Sequence, residues 1–208
     1  MCIYQIEQIS KIYNDRKVLD HVNFQIEMGK VVALIGPNGA GKSTLLNILA
    51  GIIFPDTGRV IKNDSLSVSF HLRKQGFFSD ISVRHGLSML SSIMNGSENQ
   101  TAEILKNFKI DFLKKRYGRL SSGMKQKVAL AVTFFKDSDF YVLDEPTNNL
   151  DIAAILALKR KISSLKKKKK GFLISSHQIN EFYEIADSFA FLKDGKLKKE
   201  LSKEDLRN

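Results

Sequence analysis

Residues 3–35 read as strands in which apolar and polar positions alternate until the run VVALIG, where the alternation stops. IYQIEQISKIY and VLDHVNFQIEMGK put every second side chain on one face, the period of half-buried strands, and the polar NDRK between them reads as a turn. VVALIG is instead a short unbroken apolar run, which suits a strand covered on both faces. A helix is predicted from Lys42 to about Ala50, stopping at Gly51. TGRVIKNDSLSVSF predicts two more short strands around an Asn63-Asp64 turn. From about Ile81 to Lys115 the period becomes helical, with a polar break at NGSENQT. FYVLDEP and GFLISSH then repeat the buried-strand pattern on either side of a helix, IAAILALKRKISSL, whose Ile152, Ile155, Leu158, Ile162 and Leu165 are expected to share one face. AFLKDGKL reads as a small hairpin, and no internal repeat is visible. The alternation of strands and helices predicts an α/β fold with a parallel sheet, an antiparallel β addition at the N-terminus and a small helical section in the middle.

The first apolar run ends in GPNGAGKST, which matches G-x-x-x-x-G-K-[ST] between a buried strand and a helix, the context that makes this P-loop pattern specific. Gly36, Pro37, Asn38, Gly39, Ala40, Gly41, Lys42, Ser43 and Thr44 are therefore expected to wrap the phosphates of a nucleotide. The glycines let backbone N–H groups turn inward, and the helix start adds a favourable field. Lys42 is expected to bridge the β- and γ-phosphates, and the Ser43 hydroxyl to ligate Mg²⁺. A carboxylate is needed on a neighbouring strand, and YVLDEP supplies Asp144 and Glu145 at its end. Ligands collect at the carboxyl ends of parallel strands, so Asp144 is placed to hold Mg²⁺ and Glu145 to polarise the attacking water. His177 follows the next buried run and is a candidate γ-phosphate contact.

Composition narrows the setting more than the chemistry. The 208 residues allow one sizeable domain with a subdomain. With 43% hydrophobic and 26% charged residues they read as an ordinary soluble globular chain. The one cysteine, Cys2, can form no internal disulfide, which fits a reducing compartment. No signal peptide is visible, and no apolar run approaches the roughly 18 residues of a membrane span. The net charge of +11 invites a nucleic-acid reading. A large share of it sits in KKKKK at 166–170 and in the tail KDGKLKKELSKEDLRN, local runs not interleaved with aromatics, so no specific nucleic-acid partner is expected.

Taken with LSSGM at 120–124, these motifs resemble the ATP-binding subunit of ABC transporters over nearly the whole chain, in a form similar to its export-type members. In isolation LSSG suits an ordinary serine N-cap. The resemblance implies something else: Ser121, Ser122 and Gly123 would close over the γ-phosphate held by a second subunit in a head-to-tail dimer, at the start of a helix beginning near Met124. It also implies that Tyr13 stacks on adenine, although a strand-packing tyrosine is the alternative, and that Asp151 in NNLD ends the loop coupling two ATP sites. Glu145 takes the position of the catalytic glutamate and His177 that of the switch histidine.

Two stretches depart from the family pattern. Met124 and Ser122 replace the commoner Gln and Gly. The glutamine that would sense Mg²⁺ and water falls on Arg73, with Gln75 two residues late, which puts the rate of hydrolysis in doubt but not ATP binding.

The resemblance implies one ATPase domain, with a core at about 1–72 and 128–208 and a helical subdomain at about 78–127. An integral-membrane permease would grip the region near Phe77, Phe78, Ile81 and Val83, which are apolar residues of a kind found more often in a core. The chain is expected on the cytoplasmic face of the cell membrane, powering export of a peptide, lipid or drug-like compound. The alternatives are a soluble ABC-type ATPase outside transport and a low-turnover nucleotide-gated module.

Overall fold

In the computed structural model, which describes residues 2–72, 79–94 and 96–206, the alternating N-terminal segments form strands β1 (Cys2–Tyr13) and β2 (Arg16–Glu27). They pair antiparallel through a turn in which Asn14 and Asp15 both take positive φ. The unbroken run is β3 (Val31–Ile35), with all five residues buried, and α1 (Lys42–Leu49) follows it. Next come β4 (Thr57–Lys62) and β5 (Val68–His71) around the expected Asn63 turn, closed by the Leu66 N–H on the Asn63 carbonyl at 3.2 Å. These two strands part company: β4 joins a three-stranded sheet in the order β2-β1-β4, and β5 goes to the other sheet.

Helices α2 (Val83–Ile93), α3 (Glu98–Asn107) and α4 (Ser122–Thr133) make up the middle of the chain. The polar break between α2 and α3 is shorter than NGSENQT. Asn99, Gln100 and Thr101 are helical, because the Thr101 N–H already reaches the Ser97 carbonyl at 2.9 Å and Glu98 suits the positive end of the helix dipole. Helical structure also ends before Lys115: Lys109 takes φ 54, and the chain runs back so that the carbonyls of Leu113 and Lys115 accept N–H groups from the start of α2 at 2.9 Å. α4 begins at Ser122, close to the expected Met124, with Ser121 as its cap.

The remaining elements are β6 (Phe140–Asp144), α5 (Ile152–Lys167), β7 (Gly171–Ser176), β8 (Ser188–Lys193) and β9 (Lys196–Ser202). The second sheet runs β5-β6-β7-β3-β8-β9, parallel except for the β8–β9 hairpin. That hairpin turns on Asp194-Gly195, both at positive φ, as tight hairpin turns require. The central strands are buried on both faces, and their side chains divide by parity. Val31, Ala33 and Ile35 join Tyr141, Leu143, Phe172 and Ile174 in a core shared with α2–α5. Val32 and Leu34 join Val142 and Leu173 in a second core with α1 and the N-terminal sheet. The parallel sheet is thus the middle of three layers.

One helix face differs from its reading. Ala154, Leu158, Ile162 and Leu165 form the buried stripe of α5, whereas Ile152 is 78% exposed. At about 100° per residue Ile152 lies about 120° around the axis from Leu158, so it leaves the core at the helix's first position. Arg73, Gln75, Phe77 and Phe78 lie outside the described residues. Among the described residues, no helix is long and apolar enough to cross a membrane.

Candidate nucleotide site

The turn after β3 is pinned before it opens. The Gly36 N–H donates to the Ser176 carbonyl at 3.2 Å, and a Cβ on Gly36 would sit 2.3 Å from the Leu192 carbonyl oxygen. Gly41 has φ 104, and a Cβ there would meet Val18 O at 2.7 Å. Only glycine fits either constraint at modest strain. α1 starts at the next residue with no side-chain cap, which leaves its first N–H groups for a ligand. Lys42 Nζ donates to the carbonyls of Gly36 (2.7 Å) and Pro37 (3.1 Å) and lies 3.3 Å from Glu145 Oε1. Both side chains are only 4% exposed, so an ammonium and a carboxylate are paired at the floor of the site. Asn38, Gly39, Gly41, Lys42, Ser43, Thr44 and Glu145 line an open cavity of about 300 Å³, while Ala40 is buried in the second core.

The acids come from the end of β6. Ser175 on the adjacent β7 donates its hydroxyl to Asp144 Oδ1 at 2.6 Å and accepts the Glu145 N–H at 2.9 Å, so one serine orients both residues. Glu145 has φ 43, an uncommon conformation for a bulky residue that persists only when its surroundings hold it. Asn148 contributes, donating to Glu145 Oε2 at 2.5 Å. The Ser43 hydroxyl and the Asp144 carboxylate are hard oxygen donors, few in number, which is the kind of protein set that suits Mg²⁺.

Tyr13, Arg16 and Val18, around the β1–β2 turn, line another side of the cavity. Tyr13 is 44% exposed, with Lys11 Nζ 5.4 Å from its ring centroid. Arg16 and Val18 were not singled out from the sequence. Their signal was only their place just after a turn that also carries Tyr13.

Other sequence candidates lie outside this cavity's lining. His177 is exposed just past β7, its Nε2 3.2 Å from Gln178 Nε2. Ser121 caps α4 by accepting the Met124 N–H at 3.3 Å, and Ser121 and Ser122 are exposed. A Cβ on Gly123 would sit 2.5 Å from the Asn149 carbonyl oxygen. Asp151 caps α5 through the Ala154 N–H at 2.7 Å and pairs with Lys127 of α4 at 2.6 Å, tying two helices together. Gln75 lies outside the described residues.

Comparisons with known proteins bear on the family and the fold. The family model described as ABC transporter matches residues 19–148, more than half of the chain. The lantibiotic transport ATP-binding protein SrtF of Streptococcus pyogenes is 32% identical over 201 residues, covering 93% of this chain and 88% of that one. The bacitracin transport ATP-binding protein BcrA of Bacillus licheniformis is 29% identical over 218 residues, covering 99% of this chain and 71% of that one. A solved structure of the ATP-binding subunit of an ABC transporter matches with a TM-score of 0.87 at 28% identity, covering 99% of this chain and 92% of that one. The chain belongs to the ABC transporter family, as an ATP-binding subunit with ATPase function.

Proposed function

We propose that this subunit powers an export-type transporter by closing with a second ATP-binding subunit, identical or related, around two ATP molecules. One observation carries the reading. The cavity floor is built from this chain, yet the α4 start at Ser121–Gly123, with both serines exposed, lies outside that lining. A phosphate clamp that does not serve its own pocket is free to serve a partner's, as an anion site at a helix N-terminus.

The residue roles in this reading are these. Gly36–Thr44 wrap the phosphates, and Lys42 exchanges its carboxylate partner for phosphate oxygens. Ser43 and Asp144, with Gln75 as a further candidate, would hold Mg²⁺, which when bound supplies neutralisation of charge on the phosphates. Glu145 accepts the proton of the attacking water, and His177 contacts the γ-phosphate of the closed dimer. Tyr13 carries the adenine, and Asp151 couples the two sites through Lys127. The core, at about 1–72 and 128–208, binds nucleotide. The helical subdomain, at about 78–127, meets an integral-membrane permease, so the subunit sits peripherally on the cytoplasmic face of the membrane. Relatives named for lantibiotic and bacitracin transport support a peptide cargo within the broader class of peptides, lipids and drug-like compounds. No specific nucleic acid is involved.

The test is the mass of Glu145→Gln in solution, by size exclusion with light scattering, with and without ATP and Mg²⁺. An ATP-dependent dimer that disappears when Ser121→Arg is added is the expected result. A monomer under all conditions would remove the two-copy form and leave a different subunit as the partner.

A further inference from the structure

The first turns of α4 lie along the turn that follows Glu145. Gly123 packs against the Asn149 carbonyl, and Lys127 pairs with Asp151. Between them Gln126 donates from Nε2 to the Pro146 carbonyl at 3.0 Å. Gln126 has a second partner in a third element: the same Nε2 is 3.0 Å from Nε2 of His71, the last residue of β5. His71 is only 2% exposed.

The protons of this pair follow from its partners. A carbonyl oxygen can only accept, so the Gln126 group facing Pro146 is the amide NH₂. Its other N–H meets His71 Nε2, which must accept, and the ring proton therefore sits on Nδ1. Burial pushes the His71 pKa down to about 4, so the ring is neutral at working pH and Nε2 stays an acceptor. Among the described residues, Nδ1 has no hydrogen-bond partner of ordinary geometry. The Ala129 carbonyl of α4 is near enough to favour the protonated ring slightly, but it already accepts the Thr133 hydroxyl at 2.9 Å. A leucine would fill this position with no buried donor left unmet, so the imidazole is a net cost to stability. Its return is a fixed Gln126.

We propose that His71 and Gln126 are positioning residues for ATP hydrolysis, holding the Pro146 carbonyl so that the turn carrying Glu145 stays aimed. Ser175 grips the Glu145 N–H from the sheet side, and Gln126 grips the next residue's carbonyl from the α4 side. Between these two holds lies the left-handed residue itself. Neither His71 nor Gln126 touches the reacting atoms. The inference rests on the reading of Glu145 as the base.

The full chain is compared as parent, His71→Leu, Gln126→Met, the double variant and Glu145→Gln. Single-turnover ATP hydrolysis with Mg²⁺, ATP affinity and melting temperature are measured for each. Either single variant is expected to slow hydrolysis about tenfold and the double variant no further, since the two residues act as one unit. ATP affinity should hold within about twofold. His71→Leu should melt at or above the parent temperature, which a merely structural histidine would not allow. Loss of hydrolysis in Glu145→Gln with parental rates in His71→Leu and Gln126→Met overturns the positioning role and leaves the base intact. Rates that fall only in step with melting temperature overturn it equally. Parental hydrolysis by Glu145→Gln sinks the base assignment, and the positioning role with it.

An independent arm needs no turnover. The chain has four histidines, and the other three are exposed. In ¹⁵N-histidine spectra His71 should remain the Nδ1–H tautomer from about pH 8 to about pH 5. Protonation of His71 above about pH 6 overturns the assignment.

Discussion

In the proposed function the phosphate cradle and the α4 clamp use the same physical device, a helix start offered to an anion, but the structure holds them in opposite ways. In the cradle the backbone is locked from outside: Gly36 lies against Leu192 and Gly41 against Val18 and Leu19. Lys42 is buried with three oxygens around it. In the clamp the helix start is satisfied by its own serine, Ser121, and the side chains that would meet a ligand stand in solvent. The cradle is finished within one chain. The clamp is finished only on its inner side, where Gly123, Gln126 and Lys127 rest on the 145–151 turn. Substitutions should therefore divide cleanly: changes in the cradle act on nucleotide affinity, and changes in the clamp act on closure and turnover.

The largest effect should come from Gly41→Ala. It imposes φ 104 on a residue with a Cβ and drives that atom to 2.7 Å from Val18 O and 2.8 Å from Leu19 Cδ2. Left-handed strain and overpacking each cost about 1–3 kcal/mol. Their sum predicts a loss of ATP affinity of about 100-fold or more by titration calorimetry. Retained affinity would mean that the cradle is less locked than its contacts imply.

Gly123→Ala is the matching change in the clamp. It lacks the left-handed strain but brings Cβ to 2.5 Å from the Asn149 carbonyl, a backbone atom with little room to give. A stability loss of about 1–3 kcal/mol in denaturant is expected, with ATP affinity of the single chain unchanged. A fall in affinity would break the division between the two regions.

Asp151→Ala should cost less, about 1 kcal/mol, mostly from the lost N-cap of α5. Its pair with Lys127 adds little, because the carboxylate is 56% exposed and screened. The Lys127 ammonium, and after it the Ala154 N–H, hold the Asp151 carboxyl below its ordinary range. The folded pKa is thus the lower one, so this stabilisation is complete above the unfolded value near 4 and is lost as pH falls through the folded value. Parent and variant should converge in stability once the pH has fallen below the folded value.

The same contrast explains what could be read from the chain. The cradle, Asp144 and Glu145 were legible because strand, glycine turn and helix follow one another within a few residues. The buried stripe of α5 was legible from Leu158 onward but not at Ile152, where a helix period counted from the sequence runs past the edge of the core. His71 and Gln126 were not legible at all. They are 55 residues apart, neither belongs to a local pattern, and only the packing of β5 against α4 brings them together. Asp151 was legible as an acidic position. Its bond to Lys127 of α4 was not, for the same reason. Arg16 escaped because a cation after a turn has no signature until the cavity beside it exists.

The smallest effect sharpens the cradle's outer edge. Tyr13 presents one side to the nucleotide cavity, and Lys11 stands 5.4 Å from the ring centroid, itself paired with Asp56 at 2.8 Å. Asp56 also accepts the Ile12 N–H at 2.6 Å, so one carboxylate orders both neighbours of the ring. An aromatic platform of this kind contributes about 0.5–1.5 kcal/mol to a stacked base. Tyr13→Ala should therefore weaken ATP by about fivefold and leave inorganic tripolyphosphate, which has no base to stack, unaffected. Equal losses for both ligands would make Tyr13 a packing residue of the β1–β2 turn, with its ring serving the strand and not the nucleotide. A loss for ATP alone would separate the two halves of the cradle, with phosphate recognition fixed by buried backbone and base recognition resting on a half-exposed ring.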